Sequence, residues 1–385
     1  MAGDTNQDQS ATQRGTTGGD GFPTIGVEEE FFLVDRAGRL IDQGPETAEH
    51  GVAQSDGDPD LKPELLRAMV ESATGICRTG PEVVDELTEL RAALASGAGE
   101  HGALLIASGT LPHEQVRSVP VGPGARYRRI TEHVGEFLFA GMTCGCHVHV
   151  GVDDPATAVR VANHLRLWLP TLMTVCANSP FHDGHDTGYA SSRHLLWERW
   201  PSAGPPPYLD SLDQYEELVA DMLATGAILD RKMVYFDVRP SDAHPTVEVR
   251  ISDVAPTPRE AGLLAVLTRI AVTEALESAT PAARVPTQVV RAAEWRAAKD
   301  GWGAVLPDPA GEPPRPAPLI IDDLVARHAP ALRRSGELEF VESTLAFIDA
   351  QGDGAVRQRA AGLDSVIDML AEQTAGQSLS AARTG

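Results

Sequence analysis

A chain of 385 residues with 55 Asp and Glu against 32 Lys and Arg carries a formal charge of −23, which argues against a nucleic-acid backbone or an anionic membrane as its main partner. Its 42% apolar and 23% charged residues are ordinary for a globular protein. No run reaches the ~20 apolar residues of a membrane span.

In chain order, the start "MAGDTNQDQSATQRGTTGGDG" has neither the basic opening nor the apolar middle of a signal peptide, so a cytoplasmic protein is expected. Residues 1–22 and 374–385 read as disordered tails. They leave 23–373 as a single domain. The first strand is "TIGVEEEFFLV", and "ELLRAMVESA", "ALLIASGT", "GCHVHVGV", "MVYFDVRPS" and "TVEVRISD" read as further strands.

Helices alternate with them. In "PEVVDELTELRAALASG", Pro81 suits a first turn, Val84, Leu87, the Leu90 or Arg91 stem and Leu94 share a face, and Gly97 suits an end. Helical spacing recurs in "PATAVRVANHLRLWLPTLMTVCA", "TPREAGLLAVLTRIAVTEALESA", "ELEFVESTLAFIDAQ" and "AVRQRAAGLDSVIDMLAEQ". The proline-rich "LPDPAGEPPRPAP" reads as a surface loop. The four cysteines, Cys77, Cys144, Cys146 and Cys176, are too few and too scattered for a secreted disulfide framework, so reduced thiols are expected.

Because side chains alternate across a strand, the charged residues of these segments fall on one face. Glu28 and Glu30 point one way and Glu29 the other; His147 and His149 oppose Cys146, Val148 and Val150; Glu248 and Arg250 oppose Val247, Val249 and Ile251. With Glu71 and Arg239 they form a charged sheet face, with helices on the opposite side. Carboxylates suit Mg²⁺ or Mn²⁺, a histidine can complete a nitrogen-tolerant position, and arginines hold phosphate or carboxylate. Each pair alone has a plainer reading: a solvent-facing E-x-E, two structural histidines, a cross-strand ion pair in E-V-R. Their coincidence on three strands carries the argument. A zinc knuckle in "CGCHVHVG" is disfavoured, because the thiols and the imidazoles face opposite ways. The chain has no P-loop, no dinucleotide fingerprint and no nucleophile elbow.

These stretches, together with "MVESATGICRT", "NSPFHDGHDTGYASSRHLLWERWPSAGPPPY" and "DVRPSDAHPTVEVRISD", resemble the carboxylate-amine ligases of the second glutamate-cysteine ligase group, relatives in fold of glutamine synthetase. "EWRAAKDG" and "GDGAVRQR" match more loosely. The resemblance implies an α+β fold with an antiparallel or mixed sheet whose charged concave face is the active site and whose other face carries the helices. It implies an ATP-dependent ligase that activates a carboxylate, typically the γ-carboxylate of glutamate, as an acyl phosphate and lets an amine such as cysteine displace the phosphate. By position, Glu30 and Glu71 resemble ligands of one Mg²⁺ (or Mn²⁺), and Glu28, His147 and Glu248 ligands of a second. Arg250 resembles the arginine on the transferred phosphate, and Arg239 joins it as a catalytic candidate. Arg193, His149, Ser191 and Tyr189 are expected to bind substrate or nucleotide. The expected partners are an amino-acid carboxylate and an amine, with no nucleic acid and no membrane, and a homodimer is the default for assembly.

Overall fold

A computed structural model describes residues 22–376 apart from 56–58, 114–118, 123, 136–137 and 139–141; the expected tails at 1–21 and 377–385 lie outside the described residues. The main sheet is built from β1 (Ile25–Val34), β2 (Asp60–Pro63), β3 (Met69–Ala73), β4 (Leu104–Ile106) and β5 (Gly145–Gly151). After a small ribbon of β6 (Phe181–His182) and β7 (His185–Asp186), it is completed by β8 (Val238–Pro240) and β9 (Thr246–Asp253). Its order is β2-β3-β1-β5-β9-β8, with β4 also on β1, and its strands pair antiparallel throughout the described residues. The helices are α1 (Gly44–Gln54), α2 (Gly80–Glu100), α3 (Ala125–Val134), α4 (Pro155–Leu165), α5 (Leu169–Val175), α6 (Ser192–Trp197), α7 (Leu212–Ala224), α8 (Pro258–Glu277), α9 (Thr287–Asp300), α10 (Ala317–Arg334), α11 (Leu338–Gln351), α12 (Gly354–Ala361) and α13 (Val366–Thr374). This is the expected α+β architecture.

Helices α2, α4, α5 and α8 cover one face of the sheet. Val27, Phe31, Val148, Val150, Val247, Val249 and Ile251 are buried against them. The α8 helix is buried over nearly its whole length, as expected of a helix packed between a sheet and other helices. Thr257 caps its first turn by accepting from Glu260 N, and Pro258 begins it.

Several boundaries differ from the sequence reading, for local reasons. The strand expected over 64–73 pairs only from Met69, because residues 64–68 make the reversal between β2 and β3, closed by Met69 N donating to Leu66 O at 3.0 Å. The strand read in "ALLIASGT" is reduced to β4. The single helix read over 155–177 is two, with Pro170 starting the second. In "MVYFDVRPS" only Val238–Pro240 joins the main sheet, and Met233 ends a 3-10 turn, Arg231–Met233. Val83 rather than Val84 is fully buried on α2, which runs past Gly97 to Glu100. A Cβ at Gly97 would stand 2.4 Å from Thr47 O, so this glycine admits α1 and does not end α2. The proline-rich loop is pinched by a two-stranded ribbon, β10 (Val305–Leu306) and β11 (Arg315–Pro316). Packed structure also reaches one residue beyond the expected limits at each end: Phe22 is buried under the Arg269 guanidinium, and Thr374 is helical and accepts from Ala107 N.

Candidate active site

The charged face of the sheet floors a cavity of about 470 Å³. Glu28, Glu30, Glu71, His147, His149, Arg239, Glu248 and Arg250 all line it. Register explains the convergence. Across β1 and β5, Glu28 stands opposite His147; across β5 and β9, His149 stands opposite Glu248; across β1 and β3, Glu30 stands opposite Glu71. Arg239 on β8 lies opposite Glu248. Five adjacent strands, β3-β1-β5-β9-β8, therefore present one continuous polar row.

Two acidic groups emerge from this row. In the first, Glu28, His149 and Glu248 can each place a ligand atom within 4.8 Å of the others. His149 Nδ1 lies 2.9 Å from Thr246 Oγ1; the tautomer that donates there leaves the Nε2 lone pair directed at the carboxylates. Nε2 is buried without a hydrogen-bond partner among the described residues, although it lies 3.3 Å from Glu28 Oε1. A buried nitrogen with an orienting partner behind it and carboxylates in front suits a cation ligand. The structure thus places His149, expected as a substrate residue, in the group where His147 was expected. His147 Nδ1 sits 3.3 Å from Glu28 Oε2 and 3.4 Å from Arg250 Nη1. Burial, reinforced by the Arg250 charge, pushes its pKa down to about 4.

The second group is Glu30, Glu64 and Glu71, again with ligand atoms within 4.8 Å. Glu30 Oε2 accepts from Gly145 N at 2.7 Å. Burial, then the neighbouring Glu64 charge, raises Glu30 to about 7 and Glu71 well above the usual carboxylate range. Clustered carboxylates that resist ionising are what a divalent cation relieves. Sequence reasoning missed Glu64, because it stands in the β2–β3 reversal, where no strand parity applies. Its position seven residues before Glu71 was the only signal.

Glu248 joins the first group to the arginines. Arg239 Nε donates to its Oε2 at 2.9 Å, and Arg250 Nη1 donates to its Oε1. Burial works to raise the Glu248 pKa, but the Arg250 and Arg239 charges prevail and hold it below the usual range. For Glu28 the same burial is outweighed by the neighbouring His147 and His149 imidazoles, so it too stays ionised. Lys62, Arg126 and Lys232 add cationic lining, and Tyr127, Trp197, Trp200 and Tyr235 an aromatic wall. The Trp197 and Tyr235 ring centroids are 4.9 Å apart.

Three expected residues do not reach the cavity. Arg193 is buried beside Gly145 on the charged side of the sheet, its Nη1 donating to Ile251 O and its Nη2 to Arg250 O, at the Trp197 ring. It braces the strand that carries Arg250. Ser191 caps α6 and donates to Asp253 Oδ1 at 2.7 Å, in a buried network with Ser179 and Asn178. Tyr189 packs edge-on against Trp295 with the Lys299 ammonium over its ring. The four cysteines are free and buried, and none belongs to a metal-capable group among the described residues.

The chain is similar to known proteins over most of its length. Residues 24–360 match the family described as Glutamate-cysteine ligase family 2. "Putative glutamate--cysteine ligase 2-1" of Rhodococcus jostii is 43% identical over 361 residues, covering 91% of this chain and 96% of its own. The protein of the same name from Nocardia farcinica is 44% identical over 352 residues, covering 89% and 90%. Among solved structures, glutamate–cysteine ligase from Francisella tularensis in complex with AMP superposes with a TM-score of 0.67 at 13% identity, covering 93% of this chain and 89% of that one. A bifunctional glutathione synthetase from Pasteurella multocida gives 0.63 at 16% identity, over 92% and 52%. At these identities the superpositions show a shared fold.

Proposed function

The chain belongs to glutamate-cysteine ligase family 2, whose members are ligases that form amide bonds, and we propose that it uses ATP and Mg²⁺ or Mn²⁺ to activate a carboxylate, the γ-carboxylate of glutamate in the first instance, for attack by an amine such as cysteine. One observation carries this reading: two acidic groups and an arginine fork share one sheet face, with aromatic rings in the same cavity. Glu28, His149 and Glu248 would hold one cation and Glu30, Glu64 and Glu71 another, with His147 behind Glu28. Bound there, divalent cations supply charge neutralisation for phosphate oxygens.

The remaining work falls to the chain. Phosphoryl transfer asks for positioning and charge stabilisation, not an enzyme nucleophile. Arg250 and Arg239 present planar guanidinium groups suited to phosphate or carboxylate oxygens, and Glu248 fixes both. Arg193 anchors the backbone of Arg250 through its carbonyl. Trp197, Trp200 and Tyr235 offer flat apolar faces suited to a nucleobase. His147, held neutral well below pH 7, adds no competing positive charge beside Glu28. The sheet supplies rigidity, because the neighbours of every ligand but Glu64 are fixed by ladder hydrogen bonds.

The test is product identity. ATP, Mg²⁺, glutamate and a panel of amines are incubated with the protein, and products are read by mass spectrometry alongside phosphate release. Phosphate formed in step with an amide supports the ligase; a phosphorylated product that leaves without amine would make the protein a phosphotransferase instead.

A further inference from the structure

A second set of ligand-type side chains lies outside the cavity, between α6 and α9. His194 sits on α6, Glu198 follows as its C-cap, and Glu294 comes from α9. These three can place ligand atoms within 4.8 Å of one another. Neither His194 nor Glu294 lines the cavity, and neither has a part in the chemistry above.

The set has two buried groups without hydrogen-bond partners. Glu294 is 0% exposed and His194 2% exposed. Both carboxylate oxygens of Glu294 and Nε2 of His194 are buried with no hydrogen-bond partner among the described residues. Buried polar atoms without a partner lose their hydration with nothing in return. Neither of the two basic residues whose charge reaches Glu294 hydrogen-bonds it: Arg166 donates through Nε to Pro206 O and through Nη2 to Val285 O and Thr287 Oγ1, and its Nη1 has no partner. Arg291 is engaged with Glu198, at 2.7 and 3.0 Å. Asp237 adds a further buried carboxylate whose Oδ2 is unpartnered, and its charge raises Glu294 after burial does. The space therefore holds an excess of unneutralised acceptors.

We propose that His194 Nε2, Glu198 and Glu294 bind one divalent first-row transition-metal cation at a site separate from the ligase cavity. One imidazole and two carboxylates form a donor set that suits Zn²⁺, Co²⁺ or Mn²⁺ better than Mg²⁺, which takes oxygen ligands and keeps its waters. His194 Nε2 and Glu198 Oε1 are 3.9 Å apart; ligands at ~2.1 Å from a tetrahedral ion stand roughly 3.4 Å apart, so small side-chain rotations close the set. Arg291, gripping Glu198 from outside, acts as the orienting partner that metal-bound carboxylates commonly have. Glu198 is 15% exposed in its side chain, which leaves a route for the ion from the surface. The ion ties α9 to α6, and α6 carries Arg193 and the Trp197 face of the cavity.

The experiment counts metal rather than turnover, so it stands apart from the ligase assay. Full-length protein stripped with chelator is reloaded with Co²⁺ or Zn²⁺, dialysed, and its metal content measured, with the Co²⁺ visible spectrum recorded. The same is done for Glu294→Gln and His194→Gln, and for each in a Glu30→Gln/Glu248→Gln background that weakens the cavity's cation groups. The expected result is one equivalent fewer in either single variant, with loss of the Co²⁺ ligand-field bands and of the Zn²⁺-induced rise in melting temperature. Circular dichroism confirms that the compared variants are folded. Equal metal content in the folded variants and their parents overturns the site. So does a Glu294→Gln protein that is more stable than the parent without losing metal, since Glu294 would then hold a proton in place of an ion.

Discussion

Arg91 and Glu29 form a two-pronged ion pair, Nε to Oε2 at 2.8 Å and Nη2 to Oε1 at 2.5 Å, with side chains 1% and 0% exposed. The same guanidinium donates to the carbonyls of Ala255 and Pro256. It thereby joins α2, β1 and the entry to α8 beneath the active-site floor, and accounts for the one carboxylate of "EEE" that faces the helices. Breaking such a pair by removing one partner leaves a buried charge and costs ~3–5 kcal/mol. Arg91→Met is therefore expected to lower the unfolding free energy by that amount, seen as a lower denaturant midpoint with an unchanged slope. The double variant Glu29→Met/Arg91→Met is expected to lose less than the sum of the singles, and additive losses would refute the coupling.

The two histidines of β5 are expected to separate by role. His149→Ala removes a nitrogen aimed at Glu28 and Glu248, whereas His147→Ala removes a neutral neighbour of Glu28 and Arg250. Calorimetric Mg²⁺ or Mn²⁺ titration should show at least a 10-fold weaker site for His149→Ala and a smaller change for His147→Ala. The reverse order would return His147 to the ligand position.

Glu64, in a turn, is expected to matter as much as Glu71, on a strand. Glu64→Gln and Glu71→Gln should each reduce ligase turnover by ~100-fold or more at limiting cation, with partial recovery as Mg²⁺ is raised. Loss in Glu71→Gln alone would remove Glu64 from the ligand group.

The Glu30 carboxyl gives the cation-free protein a pH signature. Its folded pKa, about 7, lies above the ordinary value of 4.5, so between those values the folded state holds more protons than the unfolded one. Stability contributed by this group is present below 4.5 and declines as pH rises toward 7. In chelator, the unfolding midpoint is expected to fall over that interval, and less so in Glu30→Gln. Saturating Mg²⁺ should remove the decline, with protons released on binding that calorimetry in two buffers can count. A flat profile in chelator would contradict the raised pKa.

Gly97 is a packing position. A Cβ there would meet Thr47 O at 2.4 Å, a backbone contact that cannot give way cheaply. Gly97→Ala is expected to destabilise by ~1–3 kcal/mol despite the better helix propensity of alanine. A gain in melting temperature would show that α1 and α2 can separate without cost.

The sequence by itself determined which face of each strand is charged. Alternation has a fixed period of two, so Glu28, Glu30, His147, His149, Glu248 and Arg250 had to share a side once the strands paired with their apolar residues inward. The helices packed behind them were legible for the same reason, as periodic apolar stripes. Only the tertiary structure decided which of these residues meet. Register set His149 across from Glu248 and His147 across from Glu28, a choice that side-chain alternation cannot make because both histidines lie on the same face. Glu64 entered the site from a reversal without periodicity, and Glu29 found Arg91 across 62 positions of chain. Local pattern specifies orientation because it follows from backbone geometry; partnership between distant charges depends on how the elements stack, which no short window of sequence contains.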